Sequence, residues 1–262
     1  MPKLTRDGVE LYYEVHGSGP ALLLTHGYSA TSQMWRGQIE VLALRYTVIV
    51  WDMRGHGQSD YPQELSAYSE AHTLADMAAL LDAAGVERAI VGGLSLGGYM
   101  SLAFHSLHPQ RVRALLIIDT GPGFKKDEAR QVWNANAYQR ADSLAMHGLS
   151  LLESGSAERA LAVHRSADGL AKAARGMLTQ HTSRVIESLP TIAVPTLVIV
   201  GADDVPFIAA AEYMAGKIPG ATKVVIPNAG HAANLDQPAT FNAALLEFLE
   251  RLPEPAANQG SR

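Results

Sequence analysis

Hydrophobic residues along this chain fall into short uninterrupted runs, separated by longer segments in which apolar residues recur at helical spacing. Runs of Val, Ile and Leu without polar interruption are typical of strands buried on both faces of a parallel sheet. They predict strands at residues 21–25, 47–51, 88–92, 112–118, 196–200 and 222–226. The helical pattern predicts connecting helices at residues 33–44, 69–84 and 96–108. Such an alternation is typical of an α/β protein.

Two strand-like segments precede this alternation, one ending near Arg6 and one spanning residues 9–15. Asp7-Gly8 stands between them, and Asp-Gly between two strands is a strong signal for a tight hairpin turn. We therefore expect the chain to open with a β-hairpin.

The alternation breaks off between Asp119 and Thr196, where no strand-like run occurs. This stretch is rich in alanine and shows helical patterns at residues 127–146, 157–164 and 169–188. A single crossover helix would need far fewer residues. We therefore predict a helical insertion at 121–189 in a body formed by 1–120 and 190–252, followed by a flexible tail at 253–262. An ordinary set of surface helices is the alternative to such an insertion.

Composition excludes several functional classes. The 262 residues can bury one substantial core, and the net charge of −5 comes from interspersed acidic and basic residues, so we expect no nucleic-acid partner. The absence of cysteine excludes disulfides and thiolate metal sites. The first residues lack the apolar stretch of a signal peptide, and no apolar run reaches the length of a membrane span. We therefore expect a cytoplasmic protein without a membrane partner.

The most informative motif is the sequence GGLSLGG at residues 92–98. It joins a predicted strand to a predicted helix and places Ser95 at the apex of the turn. Small residues at 93 and 97 allow a sharp turn, which aims the helix N-terminus at the serine. A glycine-rich turn of this kind could equally cradle a phosphate, so the motif alone leaves two functions open.

Two further polar sites follow buried strands later in the chain. The strand at 196–200 leads into Asp203 and Asp204, and the strand at 222–226 leads to His231. Open α/β sheets place their active sites at the carboxyl ends of strands. Serine, aspartate and histidine in this order could form a nucleophile activated by a base, with the acid orienting the base. Asp204, Asp203 and Asp119 are the candidate acids.

Four motifs together resemble the α/β-hydrolase superfamily over residues 9–252, in its branch of small serine esterases, enol-lactonases and perhydrolases. They are the HGY segment at 26–28, the DMRGHGQS segment at 52–59, the serine turn and the segment ending in His231. The resemblance implies a mostly parallel eight-stranded sheet with a helical cap. It also implies Ser95, Asp204 and His231 as catalytic residues, with an oxyanion hole formed by the backbone N–H groups of Tyr28 and Leu96.

The chain departs from the common family pattern after the acid, because Val205 stands between Asp204 and Pro206. Asp203 and Asp119 therefore stay open as alternatives. Within the predicted insertion, four residues are candidates for the substrate pocket, with packing roles as the alternative: Trp133, Met146, Met177 and His181. We expect Asp52, Arg54 and Ser59 to brace loops, and the His26 ring to order the oxyanion loop.

The resemblance implies hydrolysis of small carboxylic esters or lactones through an acyl-enzyme on Ser95. We expect no metal and no cofactor, since the histidines of the chain show no metal-ligand spacing. A carbon–carbon bond hydrolase and a cofactor-free perhydrolase would use the same three residues. A small-molecule receptor of this fold with little turnover is an alternative of a different class.

Overall fold

Eight strands form a single sheet in the computed structural model, which describes residues 3–152 and 156–253. In chain order they are β1 (Lys3–Arg6), β2 (Val9–His16), β3 (Ala21–Thr25), β4 (Thr47–Trp51), β5 (Ala89–Leu94), β6 (Val112–Ile118), β7 (Thr196–Gly201) and β8 (Thr222–Ile226). Their spatial order is β1-β2-β4-β3-β5-β6-β7-β8. Strand β2 pairs antiparallel with β1 and β4, and the remaining pairs are parallel.

The connecting segments are mostly helical. They are α1 (Arg36–Leu42), α2 (Glu70–Ala83), α3 (Leu96–Leu107), α4 (Asp127–His147), α5 (Ala157–Ala160), α6 (Ala167–Ala173), α7 (Arg184–Ser188), α8 (Val205–Lys217), α9 (Ala233–Asp236) and α10 (Pro238–Glu250). A short 3-10 turn, Ser32–Trp35, precedes α1. None of the described helices is long and apolar enough to cross a membrane.

Alternate residues of the central strands face two separate cores, as the two-residue period of a strand requires. In β3, Leu23 packs with α2, α3 and α8, while Leu22 and Leu24 pack with α1 and α10 on the other face. Because both faces are covered by helices, the strand is apolar throughout. This double burial explains the uninterrupted hydrophobic runs and confirms the predicted α/β sheet.

The predicted strands at 21–25, 47–51, 112–118 and 222–226 coincide with β3, β4, β6 and β8. The predicted hairpin is also confirmed, with Asp7 and Gly8 at φ angles of 51° and 74° in the turn between β1 and β2. Strand β5 extends two residues beyond its predicted end, to Leu94, because the strand runs directly into the serine turn.

Among the described residues between β6 and β7, the chain forms four α-helices, α4 to α7. The predicted helix at 157–164 is wrong beyond Ala160, since the chain leaves the helix there to contact earlier loops. The His164 ring bonds to the loops after β3 and β4, and the backbone N–H of Arg165 donates to the Tyr61 hydroxyl at 3.0 Å. These tertiary contacts replace helical hydrogen bonds.

The single helix predicted at 169–188 is also wrong. The chain instead forms α6, a π turn at Ala174–Leu178, a non-helical segment and then α7. Asn134 of α4 explains the break, because its side-chain amide receives the Gln180 N–H at 2.7 Å and donates to the Gln180 carbonyl at 2.9 Å. Of the predicted tail at 253–262, residues 254–262 lie outside the described part of the chain.

Candidate active site

Ser95 lies in the turn between β5 and α3. Its backbone angles, φ 55° and ψ −116°, are ones that residues other than glycine rarely adopt. The surrounding packing holds it there. A Cβ atom added at Gly97 would lie 2.1 Å from the Thr25 carbonyl oxygen, so only glycine permits the close approach of α3 to β3. The Thr120 hydroxyl donates to the Ser95 carbonyl at 2.6 Å. The serine side chain is thereby presented at the carboxyl end of the sheet.

The turn after β3 comes close to Ser95, because a Cβ atom added at Gly27 would lie 3.4 Å from the Ser95 Cβ. The His26 ring fixes this turn by donating from Nδ1 to the Gly27 carbonyl at 2.7 Å and accepting the Met53 N–H at Nε2, at 2.9 Å. Burial lowers the pKa of His26 to about 4, so the neutral ring can make both bonds. These contacts place Tyr28 beside the serine.

His231 and Asp204 form a hydrogen-bonded pair, with 2.9 Å between His231 Nδ1 and Asp204 Oδ2. Asp204 follows β7 and is 5% exposed, whereas Asp203 is exposed to solvent. Val205, which separates Asp204 from Pro206, is accommodated simply, because α8 begins at Val205 and Pro206 occupies its first turn. The carboxylate that contacts the imidazole is therefore that of Asp204.

Asp119 makes different contacts, although it also lies at a strand end. Its carboxylate accepts the Gly201 N–H at 2.7 Å and the Ala233 N–H at 3.2 Å, which joins the end of β7 to the start of α9. Burial raises the pKa of Asp119 to about 7. Asp119 therefore ties together the two loops that carry Asp204 and His231.

The electrostatic environment favours the protonated imidazole of His231. Burial by itself lowers its pKa, but the hydrogen bond and negative charge of Asp204, followed by the charges of Asp119 and Glu158, outweigh burial. The pKa of His231 is raised above its ordinary value. The Phe207 ring stacks on the imidazole with 5.0 Å between ring centres. The surrounding negative charges can thus stabilise the imidazolium that forms when His231 accepts a proton.

Ser95, His231, Asp204, Tyr28 and Leu96 all line one cavity of about 960 Å³. Its other walls come from α4, α5 and the loops at the carboxyl ends of β6 and β7. The cavity is large enough for a small organic molecule.

Of the four pocket residues suggested by the sequence, the structure places Trp133 on the cavity wall. Met146 is 77% exposed, because it lies nearly opposite Leu144 on α4, and Leu144 faces the cavity. Met177 is 1% exposed within the core, and His181 is exposed with its Nε2 3.2 Å from the Thr179 hydroxyl. Met146, Met177 and His181 are therefore corrected to positions outside the cavity wall.

Several residues that line the cavity were not predicted from the sequence: Phe124, Arg140, Glu158, Arg159, Leu178 and Phe207. The α4 members could have been found from spacing, since Trp133, Ala137, Arg140 and Leu144 recur every three or four residues and lie on one helix face. Glu158 and Arg159 lie on the four-residue α5, and Phe124 and Leu178 lie outside the α-helices, so they carry no such signal. Phe207 lies in the first turn of α8 and is the one residue of that helix's first turn with a large aromatic side chain.

The polar residues of the 52–59 segment brace the loops, as expected. Asp52 accepts the Ser32 N–H at 2.7 Å and the Gln58 N–H at 2.8 Å. Arg54 makes two hydrogen bonds to Asp76, at 2.7 and 2.9 Å, where both side chains are buried. Across residues 3–152 and 156–253, no three His, Asp or Glu side chains are arranged to hold a metal ion.

One contact between the α4–α7 region and the turn beside Ser95 had no sequence signal. His164 donates from Nε2 to the Ser29 carbonyl at 3.0 Å and accepts the Gly57 N–H at Nδ1, at 3.2 Å. Ser29 directly follows Tyr28, so this histidine links the region after β6 to the turn beside Ser95.

Comparison with known proteins gives consistent matches. A family model described as the alpha/beta hydrolase fold matches residues 20–147. The chain is 32% identical to "Putative carbamate hydrolase RutD" of Caulobacter sp., covering 95% of this chain and 98% of that protein. The enol-lactonase of Burkholderia xenovorans superposes with a TM-score of 0.81 at 26% identity, covering 95% of this chain and 100% of the other. A thermophilic esterase of Thermogutta terrifontis superposes with a TM-score of 0.80 at 28% identity, covering 96% of this chain and 99% of the other.

Proposed function

The chain belongs to the α/β-hydrolase superfamily, and from this premise we propose that it cleaves carboxylic esters or lactones of small molecules through an acyl-enzyme on Ser95. The observation that carries the proposal is the meeting of Ser95 with the bonded His231–Asp204 pair at one cavity. The relatives named as esterase and enol-lactonase support the same reaction class.

The proposed reaction has two halves. Ser95 Oγ attacks the substrate carbonyl while His231 takes the hydroxyl proton, and Asp204 stabilises the imidazolium that forms. The N–H groups of Tyr28 and Leu96 hydrogen-bond the oxyanion of the tetrahedral intermediate. His231 then gives its proton to the departing alcohol oxygen, which leaves the acyl group on Ser95. A water molecule, deprotonated by His231, attacks this ester, and His231 returns the proton to Ser95 Oγ as the bond between Oγ and the acyl carbon breaks and the carboxylic acid leaves.

Every proton transfer in this scheme uses a group of the chain, so we propose that the reaction requires no metal or cofactor. A lactone follows the same steps, except that its alcohol remains attached to the acyl group. A carbamate presents a similar carbonyl, and the relative named as a carbamate hydrolase makes carbamates a second substrate class to assay.

We further propose that residues 121–189 act as a cap over the nucleophile, on a body formed by 1–120 and 190–252. The support is the division of the cavity wall: Ser95 and His231 lie on strand-end loops of the body, whereas Trp133 and Arg140 lie on α4. Substrate size and polarity would then be selected by the cap, while the bond-breaking groups stay on the body.

The test is steady-state turnover of p-nitrophenyl esters of graded chain length, simple lactones, an acyl-homoserine lactone and a simple carbamate. We expect turnover of at least one ester or lactone, and Ser95→Ala should lower kcat by about 10³-fold or more. Ser101→Ala is the matched control, because Ser101 lies on α3, which Ser95 directly precedes, and its hydroxyl donates to the Gly97 carbonyl.

The outcomes separate the alternatives. Turnover of carbamates alone would replace the ester proposal, and turnover that survives Ser95→Ala would refute the acyl-enzyme. Chelators should leave activity unchanged, whereas inhibition by EDTA that added metal reverses would refute the metal-free mechanism. A single equivalent of product without further turnover would favour the receptor alternative.

A further inference from the structure

The cavity has two chemically different ends. Phe124 and Trp133 pack together with 5.9 Å between their ring centres and form an apolar end with Leu178. Arg140 of α4 and Arg159 of α5 also line the cavity, and the Arg140 guanidinium lies 5.7 Å from the centre of the Tyr28 ring. The cationic end therefore lies beside the residue to which we assign one oxyanion N–H.

Positive charge at this end exceeds the negative charge that residues 3–152 and 156–253 supply. Arg159 Nε lies 3.9 Å from Glu158 Oε1, so Glu158 balances one guanidinium. Arg140 has no carboxylate within ion-pair distance among residues 3–152 and 156–253. Burial lowers the pKa of Arg140, and the positive charge of Arg159 lowers it further, because the two guanidiniums repel each other.

Other arginines of the same region differ in this respect. Arg175, after α6, forms an ion pair with Asp142, and Arg184 of α7 forms one with Glu70. Arg140 is thus an exposed cation at the cavity wall that contacts the Tyr28 ring but has no carboxylate partner among residues 3–152 and 156–253. A ligand carboxylate in the cavity would offset the repulsion between Arg140 and Arg159.

We propose that the preferred esters or lactones carry a free carboxylate, which Arg140 and Arg159 bind a few bonds away from the reacting carbonyl. This inference rests on the proposed function and names its substrate class. Guanidinium groups suit this role because their planar N–H groups match the two oxygens of a carboxylate. Since Arg140 lies over the Tyr28 ring, the carboxylate and the oxyanion are held on the same side of the cavity.

The test compares substrates that differ only in charge. Monomethyl succinate, glutarate and adipate carry a carboxylate, and the methyl esters of the corresponding half-amides replace it with a neutral group of the same shape. We expect at least one carboxylate ester to exceed its amide partner in kcat/KM by about tenfold or more, the size of one charge-assisted hydrogen bond.

Two variants locate the effect. Arg140→Gln should lower the ratio of carboxylate to amide kcat/KM by about tenfold, and Arg140→Lys should restore part of it by restoring the charge. Arg175→Gln is the matched control, because it removes a charge of the same sign from the same region, away from the cavity wall. It should leave the ratio unchanged.

A binding measurement keeps this test independent of turnover. Calorimetric titration of Ser95→Ala protein should show the carboxylate ester binding about tenfold more tightly than the amide, and the Ser95→Ala, Arg140→Gln double variant should lose the difference. Equal binding, or no detectable binding of either compound, overturns the carboxylate proposal. If the wild-type protein showed no Ser95-dependent turnover of any ester, that result would instead contradict the proposed function.

Discussion

The loops around Ser95 and the α4–α7 region build different walls of one cavity, and they are held in different ways. Strand ends and backbone hydrogen bonds fix the first wall, as the Ser95 N–H donating to the Ile118 carbonyl at 2.9 Å illustrates. Contacts through side chains hold the second, including the Tyr28 hydroxyl donating to the Leu170 carbonyl at 2.8 Å. The difference suggests that the reaction depends on rigid backbone geometry, whereas substrate choice depends on replaceable side chains.

Exchange of the acid should have the largest effect, and it distinguishes two carboxylates of the first wall. Asp204→Asn should lower kcat by about 10³-fold or more, because the imidazolium of His231 loses its charged partner. Asp119→Asn is the matched variant, since Asp119 bonds to backbone N–H groups of the neighbouring loops. A larger loss from Asp119→Asn than from Asp204→Asn would reverse the assignment of the acid.

A methyl group at the serine turn should break the backbone geometry of the first wall. Gly97→Ala should lower the free energy of unfolding by about 3 kcal/mol or more, because the added Cβ would lie 2.1 Å from the Thr25 carbonyl oxygen. Gly216→Ala in α8 is the control, since nothing lies within 4 Å of its added Cβ. Urea unfolding measures both variants, and equal stabilities would show that the turn tolerates a side chain.

The link between the two walls should have a moderate effect. His164→Ala removes hydrogen bonds to the Ser29 carbonyl and the Gly57 N–H, so we expect unfolding to become about 1–3 kcal/mol easier and kcat to fall about tenfold. His147→Ala, at the exposed end of α4, should change neither quantity. If kcat stayed unchanged while stability fell, His164 would have no influence on the turn that carries Tyr28.

The smallest effect is a shift of the pH profile. His231 must be neutral to accept the Ser95 proton, so kcat/KM should fall as the pH drops through its pKa. Because Asp204 raises this pKa, the midpoint should lie above the ordinary value for histidine, about 6.5. NMR titration of Asp204→Asn should show a lower pKa for His231. Burial lowers this pKa, and the variant has lost the Asp204 charge that counteracts burial. An unchanged pKa in that variant would contradict the electrostatic role of Asp204.

The sequence signals for the first wall are local. Ser95 was found from glycines two residues away on either side, and His231 and Asp204 from the strands that precede them. The one-residue departure after the acid stayed ambiguous in the sequence. The structure explains it, because the residue added before Pro206 becomes the start of α8.

The second wall was predicted poorly because its geometry depends on distant contacts. The segment around His164 has a helical pattern but leaves the helix to reach Ser29, which is 135 residues away in the chain. Met146 and Met177 have suitable side chains for a pocket, but helix phase and packing direct them elsewhere. Arg140 has no distinguishing sequence signal, and only the folded arrangement shows that it has no carboxylate partner in the described part of the chain.

Intact-protein mass spectrometry during turnover tests the central claim most directly. A p-nitrophenyl ester mixed with enzyme and quenched early should release a burst of about one equivalent of nitrophenol, where deacylation is the slower step. The protein mass should rise by one acyl group, and peptide mapping should locate that group on Ser95. Ser95→Ala should show neither the burst nor the added mass. Turnover in wild type with the acyl group on another residue, or a burst that persists in Ser95→Ala, would contradict the mechanism.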